Sequence, residues 1–210
     1  MNIAGFQKTS FVDFPGNICA TIFTGGCNMK CPYCHNSALV NWDPENNLEE
    51  EKIINYLESK KHLLDGICIT GGEPTLQADL FTFITKIKNI GLKIKLDSNG
   101  SNPKFLRKVI ENKLVDFIAM DIKQVPSKYP DVIQTNLKVD KIKESIQLLK
   151  EGNIDYEFRT TVVPKFTSKE DIIAIANYIK GAKKYCLQQF VPSEGMFDLS
   201  LQEKYTPEKL

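Results

Sequence analysis

The chain has 210 residues with 27 basic and 26 acidic side chains, a balance that leaves no electrostatic footprint for nucleic acid or a membrane surface. Hydrophobic residues make up 42% of it, enough at this length for a well-buried core that needs no metal merely to fold. No apolar run approaches the ~18 residues of a membrane span, and the opening MNIAGFQKTSF lacks the charged segment and apolar run of a secretion signal. The expectation is a cytoplasmic chain, in which cysteines stay reduced and act as metal ligands or catalytic groups rather than disulfides.

In chain order, a strand is predicted at 18–23, a helix at 48–62, a strand at 66–70 and a helix at 79–90. A strand at 92–97, a helix at 103–112 and a strand at 116–121 follow, then a helix at 139–151, a strand at 155–163, a helix at 168–180 and a strand at 185–190. Gly91 and Gly152 stand where C-terminal caps belong, Pro103 opens its helix, and Ser168 with Asp171 has capping-box spacing. The motif Thr206–Pro207–Glu208 starts a further helix by its cap chemistry, so a final helix is expected to be truncated, the alternative being a protein that ends unusually early. With no repeat, linker or low-complexity tract, one domain over 1–210 is expected.

Strand–helix alternation of this kind predicts parallel strands covered by helices. Polar residues gather after the strands: the cysteines after the first, GGEPT after the second, DSNG after the third and DIKQ after the fourth. An open doubly wound sheet would also alternate in this way, but the clustering marks the loop face of a barrel, and the expected fold class is α/β, an incomplete TIM-like (β/α)6 barrel of parallel strands.

Cys27, Cys31 and Cys34 fall in GGCNMKCPYCHN with C-x-x-x-C-x-x-C spacing. A structural zinc site would need a fourth ligand, and His35, adjacent to Cys34, is poorly placed to supply it. CPYCH also matches a c-type haem attachment signature, which leaves Cys27 without a role. A four-iron cluster uses all three thiolates and leaves one iron open, which the amino and carboxylate groups of a bound molecule can chelate. Cys19, Cys68 and Cys186 sit alone in apolar segments and read as small buried hydrophobes.

These residues bring a resemblance into view. The cysteine motif after a first strand, with GGE after the second, resembles the radical S-adenosylmethionine superfamily. TSFVDFPG (9–16), GGEPTLQ (71–77), LDSNG (96–100), MDIKQ (120–124) and FRTTVVP (158–164) extend it over most of the chain. Together they look like the glycyl-radical-enzyme activases, most of all the short anaerobic ribonucleoside-triphosphate reductase activating proteins.

The resemblance implies the radical SAM fold and a [4Fe–4S] cluster on Cys27, Cys31 and Cys34 whose unique iron binds S-adenosylmethionine. It puts Tyr33 against the adenine and Gly71, Gly72 and Glu73 at the methionine ammonium. The glycines suit close backbone approach and the carboxylate suits a cation. Asp97 is placed at the ribose hydroxyls, although DSNG is also an ordinary turn sequence. Arg159 is one of two arginines, inside the apolar EFRTTVV, where a guanidinium needs a partner. A ligand contact to ribose or carboxylate competes there with an ion pair to Asp121 or another acid. Lys123 points to the same rim. Arg107 and His62 read as solvated helix residues.

No catalytic side chain is expected beyond the cluster and S-adenosylmethionine. The implied reaction is reductive cleavage of the sulfonium to a 5′-deoxyadenosyl radical, which takes a hydrogen atom from a glycine of a partner enzyme. The implied partner is anaerobic ribonucleotide reductase, with reduced flavodoxin or ferredoxin as electron donor. Alternatives are an activase of another glycyl radical enzyme, such as pyruvate formate-lyase, or a radical enzyme acting on a small molecule. No cysteine-rich insertion lies between Val40 and Gly66, which suits a compact activase. The segment 124–136 and the loop bearing Trp42 are candidate rims for the partner.

Overall fold

A computed structural model describes residues 1–206; the helix start expected at 206–208 lies at and beyond that limit. Among the described residues, seven strands form one sheet in chain order. β1 (Ile3–Ser10) pairs antiparallel with β2 (Cys19–Thr24). From β2 onward, β3 (Gly66–Gly71), β4 (Lys93–Ser98), β5 (Phe117–Asp121), β6 (Asp155–Val162) and β7 (Tyr185–Gln189) are all parallel. These six coincide with the six predicted strands, and the sheet is that of the incomplete barrel. β1 is an addition to the prediction. Its IAGFQKTS sequence has a glycine and four consecutive polar residues where a half-buried strand would alternate.

Helices α1 (Glu50–Lys60), α2 (Leu80–Ile90), α3 (Pro103–Glu111), α5 (Asp140–Glu151) and α6 (Lys169–Tyr178) are the five predicted ones. A short α4 (Tyr129–Ile133), carrying Pro130 in its first turn, was not expected. The end signals act physically. Gly91 adopts φ 95°, the left-handed conformation that ends α2, and its amide bonds to Lys88 O. Asn102 caps α3, and Ser168 with Asp171 forms the capping box of α6. Gly152 bonds to Leu148 O but stays extended at φ −74°, so it caps α5 without left-handed geometry. His62 lies in the turn beyond α1 rather than on a helix, and it is exposed.

Side-chain alternation divides the sheet into two unlike faces. Ala20, Ile22, Ile67, Ile69, Ile94, Leu96, Ile118, Met120, Tyr156 and Phe158 belong to the main apolar core. The alternate residues carry polar groups: Thr21 on β2, Thr70 on β3, Lys95 and Asp97 on β4, Asp121 on β5, Glu157, Arg159 and Thr161 on β6. At the opposite end from the loops, Cys19 and Cys68 pack with Phe14 and Phe117 in a small separate cluster. Cys19 and Cys68 are thus buried as expected. Cys186 is only half-buried, with Sγ 3.6 Å from Glu157 Oε2, because β7 is an edge strand with one neighbour.

Candidate functional site

The ten residues singled out from the sequence (Cys27, Cys31, Tyr33, Cys34, Gly71, Gly72, Glu73, Asp97, Lys123 and Arg159) all line one cavity of about 250 Å³. It lies over the C-terminal ends of the parallel strands. Thr70, Ser98, Asn99, Asp121, Thr161 and Gln188 line it too, and the sequence reading did not choose them. For Thr161 and Gln188 a signal existed, since they continue the inward parity of Arg159 and Cys186.

The cysteine loop leaves β2 and is pinned from distant parts of the chain. Lys30 N donates to Ile133 O at 2.8 Å, and Thr135 Oγ1 donates to Asn28 O at 3.0 Å. Asp198 N donates to Pro32 O at 3.0 Å, and Ser37 Oγ donates to Gly195 O. Residues 124–136 therefore buttress this loop through α4, whose Tyr129 and Ile133 are fully buried. Trp42, the other candidate rim, packs on Gly25: a Cβ there would sit 2.2 Å from the indole, whose Nε1 donates to Asn47.

The glycines of GGE serve a backbone contact. Gly71 has φ 107°, and a Cβ on Gly72 would lie 2.1 Å from Gly26 O. Gly72 N donates to Thr24 O and Glu73 N to Gly26 O, both at 2.8 Å. The two loops are thus stitched together edge to edge. Glu73 is fully buried: Oε1 accepts from Thr75 N, Thr75 Oγ1 and Ser98 Oγ, and Oε2 from Asn99 N at 2.6 Å. Burial pushes its carboxyl above the usual range in spite of those donors.

Of the contacts expected at Arg159, the ion pair to Asp121 is present, and a second acid, Asp97, shares the guanidinium. Nε donates to Asp121 Oδ1 at 2.9 Å, while Nη1 and Nη2 donate to Asp97 Oδ2 at 3.2 Å. Lys123 Nζ donates to the other oxygen of Asp121 at 2.9 Å. Burial would lower the Arg159 and Lys123 pKa values, but their carboxylate neighbours outweigh it and raise both. Arg107, by contrast, is half exposed and 3.7 Å from Glu144.

All six cysteines are free thiols. Burial pushes Cys27 up to about 12 and raises Cys31 as well, so a cationic metal is the natural partner for their thiolates. Met29 N lies 3.5 Å from Cys27 Sγ, the kind of amide–sulfur contact that tunes an iron–sulfur cluster. Among the described residues no three His, Cys, Asp or Glu side chains are grouped to hold a metal ion. His35 is unsuited as a fourth zinc ligand here, since its Nε2 lies 2.6 Å from Val191 O. A cluster, which spreads its ligands over several irons, fits this donor set. Tyr33 is buried between Phe166 and Phe190, at ring distances of 5.9 and 6.5 Å.

Residues 21–179 match the model of the radical SAM superfamily. A Methanocaldococcus jannaschii protein provisionally named a glycyl-radical enzyme activating enzyme is 38% identical over 197 residues, spanning 91% of this chain and 81% of its own. The pyruvate formate-lyase 1-activating enzyme of Escherichia coli is 30% identical over 184 residues, spanning 80% of this chain and 70% of its own. Among solved structures, Streptococcus suis SuiB bound to S-adenosylmethionine superposes with a TM-score of 0.67 at 18% identity over 86% of this chain. This chain spans only 41% of SuiB, and at that identity the likeness concerns the fold.

Proposed function

The chain belongs to the radical SAM superfamily, which uses a [4Fe–4S] cluster and S-adenosylmethionine, and from that premise we propose that it activates a glycyl radical enzyme. One observation carries the site assignment: three free thiols, the GGE turn, Asp97 and Arg159 meet on one cavity at the strand ends. When bound, the cluster and S-adenosylmethionine supply a one-electron cleavage that yields a carbon radical able to take a glycine hydrogen atom.

The chain's own residues bind and orient. Cys27, Cys31 and Cys34 hold three irons. Tyr33 gives the adenine an apolar wall. Asp97 accepts hydrogen bonds from the ribose hydroxyls. Glu73 fixes the turn, and Oε2, with a single donor, keeps capacity for the ligand ammonium. Arg159 brings positive charge to the ligand's ribose or carboxylate, and Lys123 lies on the same rim. No side chain is required to take or give a proton.

The partner we favour is anaerobic ribonucleoside-triphosphate reductase, with reduced flavodoxin or ferredoxin as donor, in the cytoplasm and without nucleic acid or membrane. Its support is TSFVDFPG, the CHN closing the cysteine loop, and the lack of a cysteine-rich insertion before Gly66. Pyruvate formate-lyase is the second reading, favoured by its activases among the relatives. No helix among the described residues is long and apolar enough to cross a membrane. We take the chain to act as one domain. The test mixes reduced holoprotein and S-adenosylmethionine with each glycyl enzyme without air and records electron paramagnetic resonance. A glycyl doublet on the reductase alone supports the first reading, and one on pyruvate formate-lyase alone supports the second. Cofactor cleavage with neither signal, alongside turnover of a small metabolite, overturns the activase assignment.

A further inference from the structure

Lys95 is a lysine almost wholly withdrawn from solvent, 3% exposed, on the same face of β4 as Asp97. Nothing in the sequence marks it, because KIKLD reads as a strand with a solvated lysine face. Its Nζ donates to Asp97 Oδ1 at 2.5 Å and lies 3.5 Å from Cys68 Sγ. The other oxygen, Oδ2, takes both terminal nitrogens of Arg159 and the Thr70 hydroxyl.

Lys95, Asp97, Arg159, Asp121 and Lys123 thus form a chain of alternating charge across three strands, with a cation at each end. A buried ion is costly, and an apolar residue of similar volume is often equally stable in its place. Lys95 therefore calls for a role beyond packing. Arg159 spends three of its five N–H donors on the two carboxylates, and a shift of the guanidinium toward a ligand lengthens its contacts with Asp97. Lys95 keeps Asp97 compensated at that moment. Without it, Arg159 is the one cation left on Asp97 and is held there.

We propose that Lys95 is a positioning residue for the nucleoside end of the bound cofactor, orienting Asp97 and freeing Arg159 to be shared with the ligand. This rests on the reading of Asp97 as the ribose contact. Lys95 reaches no lining position of the cavity and acts through Asp97 alone.

The test is calorimetric binding of S-adenosylhomocysteine and 5′-methylthioadenosine to anaerobically reconstituted holoprotein. Lys95→Met is expected to weaken both ligands by about tenfold, the scale of one charge-assisted hydrogen bond, at unchanged iron content. Lys95→Gln, which keeps a donor without charge, is expected to weaken them less, and it carries the comparison if Lys95→Met fails to fold. Combined with Asp97→Asn, either change adds nothing to the loss from Asp97→Asn alone, because both act on one group. Unchanged affinities in the Lys95 variants while Asp97→Asn binds poorly overturn the proposal and leave the ribose reading standing. Losses that sum in the double variant, or a loss confined to S-adenosylhomocysteine, overturn it as well. If Asp97→Asn leaves both affinities unchanged, the ribose reading itself falls, and this inference with it.

Discussion

Arg159 reaches Asp97 through both of its terminal nitrogens, 62 residues back along the chain and two strands away in the sheet. The planar fork also sends Nε to Asp121, so a single side chain joins β4, β5 and β6 at the cavity floor. Lysine retains the charge but has no such fork. Arg159→Lys is expected to weaken S-adenosylhomocysteine binding by about 1.5–3 kcal/mol, the worth of a charge-assisted contact. Arg107→Ala, at a half-exposed position 3.7 Å from Glu144, should leave binding unchanged. Titration calorimetry at matched iron content decides; equal affinity in wild type and Arg159→Lys would remove Arg159 from the ligand site.

Iron content separates the loop cysteines from the others. Reconstituted wild type should hold about four irons, as one [4Fe–4S] cluster does. Cys31→Ala should lose them, whereas Cys186→Ala, on edge strand β7, should not. A requirement for Cys68 or Cys186 as a ligand would sink the open-iron reading.

The stitch between the loops gives a steric prediction. Gly72→Ala places a methyl carbon 2.1 Å from Gly26 O, a backbone atom that cannot swing aside. Overpacking of this kind typically costs about 1–3 kcal/mol. Lowered thermal stability together with poor iron loading is expected, because Gly26 immediately precedes Cys27. A variant as stable and as fully loaded as wild type would mean that the contact is easily relaxed.

Acid should act through Asp121. Burial by itself would raise its pKa, but Arg159 and Lys123 outweigh burial and hold the carboxyl well below the usual range. A depressed carboxyl contributes stability that is complete above its unfolded value, about 3.9, and is lost as pH falls through the lower folded value. Asp121→Asn should therefore be clearly less stable than wild type at pH 7. The gap should narrow on acidification below about pH 4. Denaturant unfolding of the cluster-free proteins at the two pH values measures it; a gap independent of pH would show that Asp121 titrates alike in both states.

Much of this was legible because local signals and global fold agree. The Ser168–Asp171 box and Gly91 are read from single positions, and the runs around Ile67, Leu96 and Ile118 announce buried parallel strands. The site residues were legible through motifs. What stayed hidden depends on the far side of the sheet. Lys95 and Glu157 alternate with apolar residues as solvent-facing residues would, yet the inner face of an open barrel is polar and closed off from water. The partners of Glu73 come from residues 75, 98 and 99, and no local pattern gives that convergence. β1 lacks the alternation that would have betrayed it and exists by pairing with β2.

The three thiols sit within eight residues near the start of the chain, yet the loop that carries them is secured by residues 133, 135, 195 and 198. During synthesis these supports emerge long after the cysteines do. A nascent chain that has exposed only its first half presents all its sulfur ligands on an unshaped segment. The three thiols are thus brought into their folded arrangement only after residue 198 has joined the fold.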